Sequence, residues 1–366
     1  MLENGKISPI QFSVLVTMYL IGSSILLLPS ALAAKARQDA WLAAIIGVGL
    51  GFLLVMLYNA LAGYYPKMNL SEYSEKILGK WLGIIVSLFF SGYFFLISSL
   101  VLRNIGDFLV THMLGETPIQ IVEILILLVV IIGLYYGLES FGRTSEILFP
   151  ITIIFFSLLV LLVLPLIKIE HLQPMLENGI KPIINGTLPY MGTPCMELVV
   201  FLMIYPYVTE EKKAKKAFYI GYLIGGIVLI IISLVTVLVM GPGLTAAVIY
   251  PTFLLATKIN VGDFLQRIEA VMAILWFITI FFKLIICFYA TTACFAHSIK
   301  LKKSRILYFP FGMMMIVLSL IAYPNSSYFV SVIGSIWMPY ASVYGLLLPI
   351  LLLVVGKLRG VSAQEG

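Results

Sequence analysis

The sequence predicts an all-α polytopic membrane protein with about ten transmembrane helices and no soluble domain of any size. Two observations carry that prediction. Of the 366 residues, 61% are hydrophobic and only 11% charged, with a mean hydropathy of +1.08; a water-soluble chain is nearer half apolar and a quarter charged. Apolar stretches long enough for a helix to cross a bilayer also recur almost without pause, at 10–34, 41–65, 81–111, 119–137, 146–168, 183–208, 216–240, 262–296, 306–323 and 334–356. These are numbered here as segments 1 to 10. Membrane β-strands would be shorter and would alternate apolar with polar residues, which these runs do not.

Segment 1 carries Ala31-Leu32-Ala33, a sequence resembling a signal-peptidase site. Its apolar run is too long for a signal peptide and nine more spans follow, so it is expected to remain as a span. Inside it, Tyr19-Leu20-Ile21-Gly22-Ser23-Ser24-Ile25 is followed by Pro29. Segment 6 shows a corresponding interruption, Leu188-Pro189-Tyr190-Met191-Gly192-Thr193-Pro194-Cys195. Backbone freed from a helix at membrane depth is costly unless protein or a cavity satisfies it. Segments 1 and 6 open two five-span halves, and an odd number of spans per half inverts the second half. Paired breaks at matching positions of inverted halves point to a binding site near the midplane. The alternative is that the glycines only allow helices to pack closely. The whole chain, 1–366, reads as one transmembrane domain with inverted halves at about 7–168 and 183–356.

At the breaks, Ser23 and Ser24 are expected to cap the second half of segment 1. Thr193 is expected as N-cap of the second half of segment 6, with Pro194 in its first turn, where a missing N–H costs nothing. Glu197 then falls in that first turn, favourably for the helix dipole. Donors for a carboxylate and carbonyl acceptors for an ammonium together suit a small zwitterion.

Four ionisable residues inside the spans stand out, and such residues usually pair or serve function. Arg103 and Asp107 lie four apart on segment 3, which predicts a local pair. Glu197 on segment 6 and Lys283 on segment 8 lack local partners. Either they pair with each other, or each meets ligand, backbone or an interface. Tyr93 and Tyr289 can reach a central cavity or serve as packing aromatics. Glu139, Arg143 and Glu146 read as a loop pair three residues apart.

The net charge of +6 is a topology signal, since the basic residues are scattered among loops. Placing the N-terminus inside puts 15 of the 23 Lys and Arg on the cytoplasmic side and 6, including Lys35, Lys168 and Arg267, outside. The positive-inside rule then makes both termini cytoplasmic and the span count even. The outer connection from Gly241 to about Asn260 contains Ala246 to Ala256, expected as a short helix over that face. Cys195, Cys287 and Cys294 all fall within spans, without zinc spacing or a disulfide framework, so no metal is expected. No nucleotide fingerprint or nucleophile elbow occurs, and no enzyme activity, cofactor or nucleic-acid partner is expected.

Ile7-Ser8-Pro9 with Gln11, then Gly22, Pro29 and Gln38-Asp39-Ala40-Trp41 resemble the opening of the endospore germination permease family. Its members are the B subunits of Ger-type spore nutrient receptors, within the amino acid–polyamine–organocation superfamily. The resemblance continues through Tyr65-Pro66, Glu72 to Glu75, Gly137, Arg143, Glu146, Pro150, Glu197 and Pro206, then Tyr250-Pro251 and the run from Phe264 to Ala270. It implies a LeuT-like fold of 5+5 inverted helices with helices 1 and 6 broken. It also implies a sensor of amino acids or similar nutrients, with an A-type membrane subunit and a C-type lipoprotein as partners in the spore's inner membrane. The family's ligand pocket, between segments 1, 3, 6 and 8, falls on Gly22, Ser23, Ser24, Gly192, Thr193 and Cys195, and further on Tyr93, Leu100, Leu198 and Thr291. The competing reading is a proton- or sodium-coupled amino-acid symporter of the same fold.

Overall fold

The computed structural model describes residues 5–259 and 268–359, with the side chains of Ser326, Ser327 and Ile333 left aside. The stretch from 262 expected to open segment 8, with Arg267 and the Phe264 to Arg267 part of the resemblance, lies outside the described residues. Among the described residues, eight helical runs are long and apolar enough to span a bilayer: Ser24–Tyr64, Lys80–His112, Ile119–Tyr136, Leu138–Leu166, Glu211–Ala247, Ile268–Ser298, Ser304–Ala322 and Tyr328–Leu358. The first turns sharply at Arg37 (φ 50°), so it holds the second half of segment 1, Ser24–Ala36, and all of segment 2, Ala40–Tyr64. The remaining pieces are Pro9–Ile21 and the discontinuous segment 6. Ten segments result, and the two that fail as unbroken spans are those that carry the paired interruptions.

Local chemistry explains several boundaries. Ser8 caps segment 1 in a reciprocal box with Gln11, and Pro9 takes the first helical position. Asn69 and Glu72 form the same box on Leu70–Leu78, an amphipathic helix between segments 2 and 3. Gly137, at φ 86°, ends segment 4 and starts Leu138–Val163 directly. Segment 5 therefore begins two turns earlier than expected. The Glu139 to Glu146 stretch is helix rather than loop, and Arg143 pairs four residues back with Glu139 at 2.7 Å. Glu146 instead accepts from Gln11 Nε2 at 2.9 Å. The short outer helix forms as Pro251–Thr257, starting at the proline.

Connections alternate between two faces, as ten crossings require. On one face Ile7 bridges Val208, His297 meets Glu75 at 3.0 Å and Arg359 donates to the Ile77 carbonyl at 2.7 Å. On the other, Gln38 donates to the Pro174 carbonyl at 2.7 Å and the Asp39 carboxylate accepts from the Leu176 N–H at 3.1 Å. Segment 8, the first half of segment 1 and the Met196–Met203 part of segment 6 are deeply buried, and segment 3 packs along segment 8. One helical face of segment 4 leaves Leu125, Val129 and Ile132 more than half exposed. Hydrocarbon, not water, is the solvent for such a surface.

Candidate ligand site at the broken segments

Segment 1 stops at Ile21 and restarts at Ser24, with Gly22 at φ 11°, ψ −118°. A side chain at Gly22 would put Cβ 2.8 Å from the Tyr19 carbonyl oxygen and 2.9 Å from Lys283 Cδ. Glycine is required because the Lys283 stem lies directly on the break. Ser23 does not cap the second half through its side chain, contrary to expectation. Its hydroxyl instead accepts from Lys283 Nζ at 2.9 Å, a stronger partner than a backbone N–H. Ser24 Oγ is buried without a hydrogen-bond partner.

Segment 6 breaks differently from expectation. Helix Ile180–Tyr190 widens into a π turn, Met191–Cys195, then tightens into a 3-10 run, Met196–Met203. Thr193 caps nothing. Pro194 has no N–H, and its ring would clash with the Tyr190 carbonyl in an α-helix; the wider turn relieves both problems. An eight-residue 3-10 run is unusually long, since its hydrogen bonds are poorly aligned. The Tyr58 hydroxyl sits at its start, 3.2 Å from Met196 O and 2.6 Å from Gly345 O of segment 10, joining segment 2 to both.

Between the breaks, Lys283 Nζ lies 2.7 Å from Glu197 Oε2, with side-chain exposures of 1% and 3%. Trp337 Nε1 donates to Glu197 Oε1 at 3.2 Å, and the Tyr19 ring lies 5.2 Å below the ammonium. Segments 1, 6, 8 and 10 thus converge on one buried pair of opposite charges. Beside it is a cavity of about 30 Å³, lined by Ser23, Leu27, Leu100, Asn104, Thr193, Glu197, Lys283, Phe329 and Trp337 among others. A second cavity of about 350 Å³ runs from Ser24 and Thr193 towards Lys35 and Ile249 on the Asp39 face. Leu27, Thr193 and Phe329 line both. The smaller space suits a water or two; the larger is the size of a small-ligand pocket.

The structure therefore brings Gly22, Ser23, Thr193, Leu100, Glu197 and Lys283 together, with Ser24 in the outer cavity. Gly192 packs against Met338, where a Cβ would lie 3.1 Å from its Cα. Tyr93 stands one layer back, stacked on Tyr344 at 4.3 Å and on Trp337 at 6.3 Å. Cys195 turns towards Tyr222, 3.5 Å away, and Leu198 is buried outside both cavities. Thr291 ties segment 8 to segment 3, its carbonyl accepting from Ser91 Oγ at 2.9 Å, while Tyr289 packs edge-on against Phe141. Sequence reasoning missed Asn104, Phe329 and Trp337. An indole N–H in the middle of an apolar span was the available signal for Trp337.

Comparison with known proteins fits this architecture. Spore germination protein KB of Bacillus subtilis (strain 168) is 30% identical over 329 residues, covering 89% of this chain and 87% of that protein. Spore germination protein YndE of the same organism is 27% identical, covering 97% of each. Among solved structures, MhsT in complex with L-phenylalanine aligns with a TM-score of 0.68 at 14% identity, covering 97% of this chain and 99% of that one. MHP1, a nucleobase-cation-symport-1 family transporter in a closed conformation with bromovinylhydantoin bound, aligns at 0.68 with 12% identity, covering 93% and 77%. These likenesses establish the LeuT fold, the inverted 5+5 repeat with segments 1 and 6 broken. The family model for spore germination protein matches residues 6–327, and the chain belongs to that family, an integral membrane permease of the spore germination type.

Proposed function

We propose that this chain is the nutrient-sensing subunit of a spore germinant receptor, and that an amino acid or similar small zwitterion binds beside the Glu197–Lys283 pair. The observation that carries the proposal is the cavity of about 350 Å³ that opens from the two helix breaks and shares Leu27, Thr193 and Phe329 with the smaller space at the pair, where an ammonium and a carboxylate lie 2.7 Å apart. Such a site offers a partner for each charge of a zwitterion. The roles of Gly22, Ser23, Ser24, Leu100 and Thr193 are to shape and bond the ligand site, with Tyr93, Gly192, Cys195, Leu198 and Thr291 supporting it. Occupancy passes a conformational change to partner subunits only through unequal affinity for two states.

In this reading the chain is one transmembrane domain with inverted halves at about 7–168 and 183–356, set in the spore's inner membrane with both termini cytoplasmic. The basic residues concentrated on the Ile7 face support that orientation. Its partners are an A-type membrane subunit and a C-type lipoprotein, in keeping with its relatives among spore germination proteins. The second reading, a proton- or sodium-coupled symporter, draws on the fold neighbours, one of which is a Na+-coupled sialic acid symporter. Two measurements separate them. Purification from spore membranes should recover the A- and C-type partners, and the nutrient response should persist in sodium-free buffer with an unchanged midpoint. Purification alone, together with sodium-dependent uptake of labelled amino acid into liposomes, would establish the symporter instead.

A further inference from the structure

Behind the cavity, where segment 3 meets segments 4 and 9, a second carboxyl group is buried. Glu123 on segment 4 is 0% exposed and lies over Gly106 of segment 3, where a Cβ would sit 3.1 Å from its Cγ. Its Oε2 is 2.6 Å from Ser319 Oγ on segment 9, and its Oε1 has no hydrogen-bond partner. Ser319 Oγ also lies 2.7 Å from the Ile316 carbonyl oxygen, which can only accept. A serine has one hydroxyl proton. If that proton goes to the carboxyl group, the hydroxyl and carbonyl oxygens stand in contact with nothing between them. If it goes to Ile316, the contact with Oε2 needs a proton from Glu123. Only the second arrangement makes both contacts hydrogen bonds.

The surrounding charges point the same way. Those acting on Glu123 are Arg103 and Asp107 of segment 3. They already pair with each other at 3.0 Å, and Tyr323, just beyond segment 9, donates to Asp107 Oδ2 at 2.9 Å. Segments 5 and 8 also flank segment 4, and among the described residues they bring no charge that acts on Glu123. An ionised Glu123 would be a second carboxylate beside one balanced guanidinium, with one oxygen unsolvated in a low-dielectric site.

We infer that Glu123 is a proton-binding site: a carboxylic acid whose proton is donated to Ser319 Oγ, clasping segment 4 to segment 9. The inference is independent of the nutrient reading. Releasing the proton breaks the clasp behind segment 3, the segment that carries Leu100 and Asn104 into the cavity. Asn104 Oδ1 is 3.3 Å from the Tyr323 phenol that holds Asp107, one of the two charges acting on Glu123, so the proton site is coupled electrostatically to a polar group at the cavity.

The test uses full-length protein in detergent and the variants Glu123→Gln, which mimics the neutral acid, and Glu123→Ala. Infrared spectra at neutral pH should show a carboxylic-acid carbonyl band in the wild type that Glu123→Gln lacks. A proton held by the folded state and released on unfolding makes stability fall as pH rises above the ordinary carboxylate range, by up to tenfold in the folding equilibrium per pH unit. Glu123→Gln should lack that slope, matching the wild type at acid pH and exceeding its stability near neutral pH, and Glu123→Ala should be less stable than Glu123→Gln throughout. An unchanged infrared band, or stability profiles of wild type and Glu123→Gln that run parallel, would overturn the assignment.

Discussion

Separating Glu197 from Lys283 should be more damaging than removing both. Each side chain is almost wholly buried and their charged atoms are 2.7 Å apart. Removing one partner from such a pair leaves an uncompensated charge, at a cost of about 3–5 kcal/mol. The structure ranks the two changes. Glu197→Gln leaves the ammonium with Ser23 Oγ and the Tyr19 ring, so the loss falls near about 3 kcal/mol. Lys283→Met leaves a carboxylate with only the Trp337 indole, so the loss falls near about 5 kcal/mol. The double variant buries no charge at all, only a neutral amide beside a thioether, so its loss should be smaller than either single one. Denaturant titration of the four proteins in one mild detergent measures the cycle. Additivity within about 0.5 kcal/mol would show that the two residues act independently, and would refute the reasoning.

Other consequences follow from packing and sidedness. Alanine at Gly345, where a Cβ would lie 2.6 Å from the Met196 carbonyl oxygen, should destabilise by about 1–3 kcal/mol in the same titration. Alanine at Gly49, which meets nothing within 4 Å, should be neutral or stabilise by up to about 1 kcal/mol. Because the three native cysteines are free and buried, single cysteines can report sidedness against a low background. Cysteines at Lys213 and Lys302 should react with a membrane-impermeant maleimide only after permeabilisation, and one at Glu170 before it. The reverse pattern would invert the proposed orientation.

The architecture was legible because its signals are long: apolar runs set the spans, and the Gly22 and Gly192 clusters marked the two segments that fail as continuous helices. Local hydrogen-bond choices were not legible. Ser23 and Thr193 look like caps in sequence, yet Ser23 faces a lysine 260 residues away and Pro194 produces a π turn. Which of two acceptable partners a hydroxyl takes depends on tertiary distance, which periodicity does not encode. The Glu197–Lys283 contact was one of several open alternatives for the same reason. Segment 10 contributed nothing to the sequence-level site. Two π turns, Ile333–Trp337 and Val343–Leu347, rotate its side chains off simple helical spacing. Glu123 escaped notice near the start of segment 4, where a carboxyl group normally reaches water; here Ser319 and Gly106 enclose it.

The nutrient dose-response of spores carrying Thr193→Val tests the central claim most directly. Thr193 lines both cavities at the segment 6 break, and valine keeps its shape while removing its hydroxyl. Losing one hydrogen bond to a ligand weakens binding by about 0.5–1.5 kcal/mol, or roughly two- to tenfold. The midpoint should rise by that factor, with the maximal response and the amount of protein in the membrane unchanged. An unchanged midpoint in spores that respond normally would place the nutrient somewhere other than the broken segments.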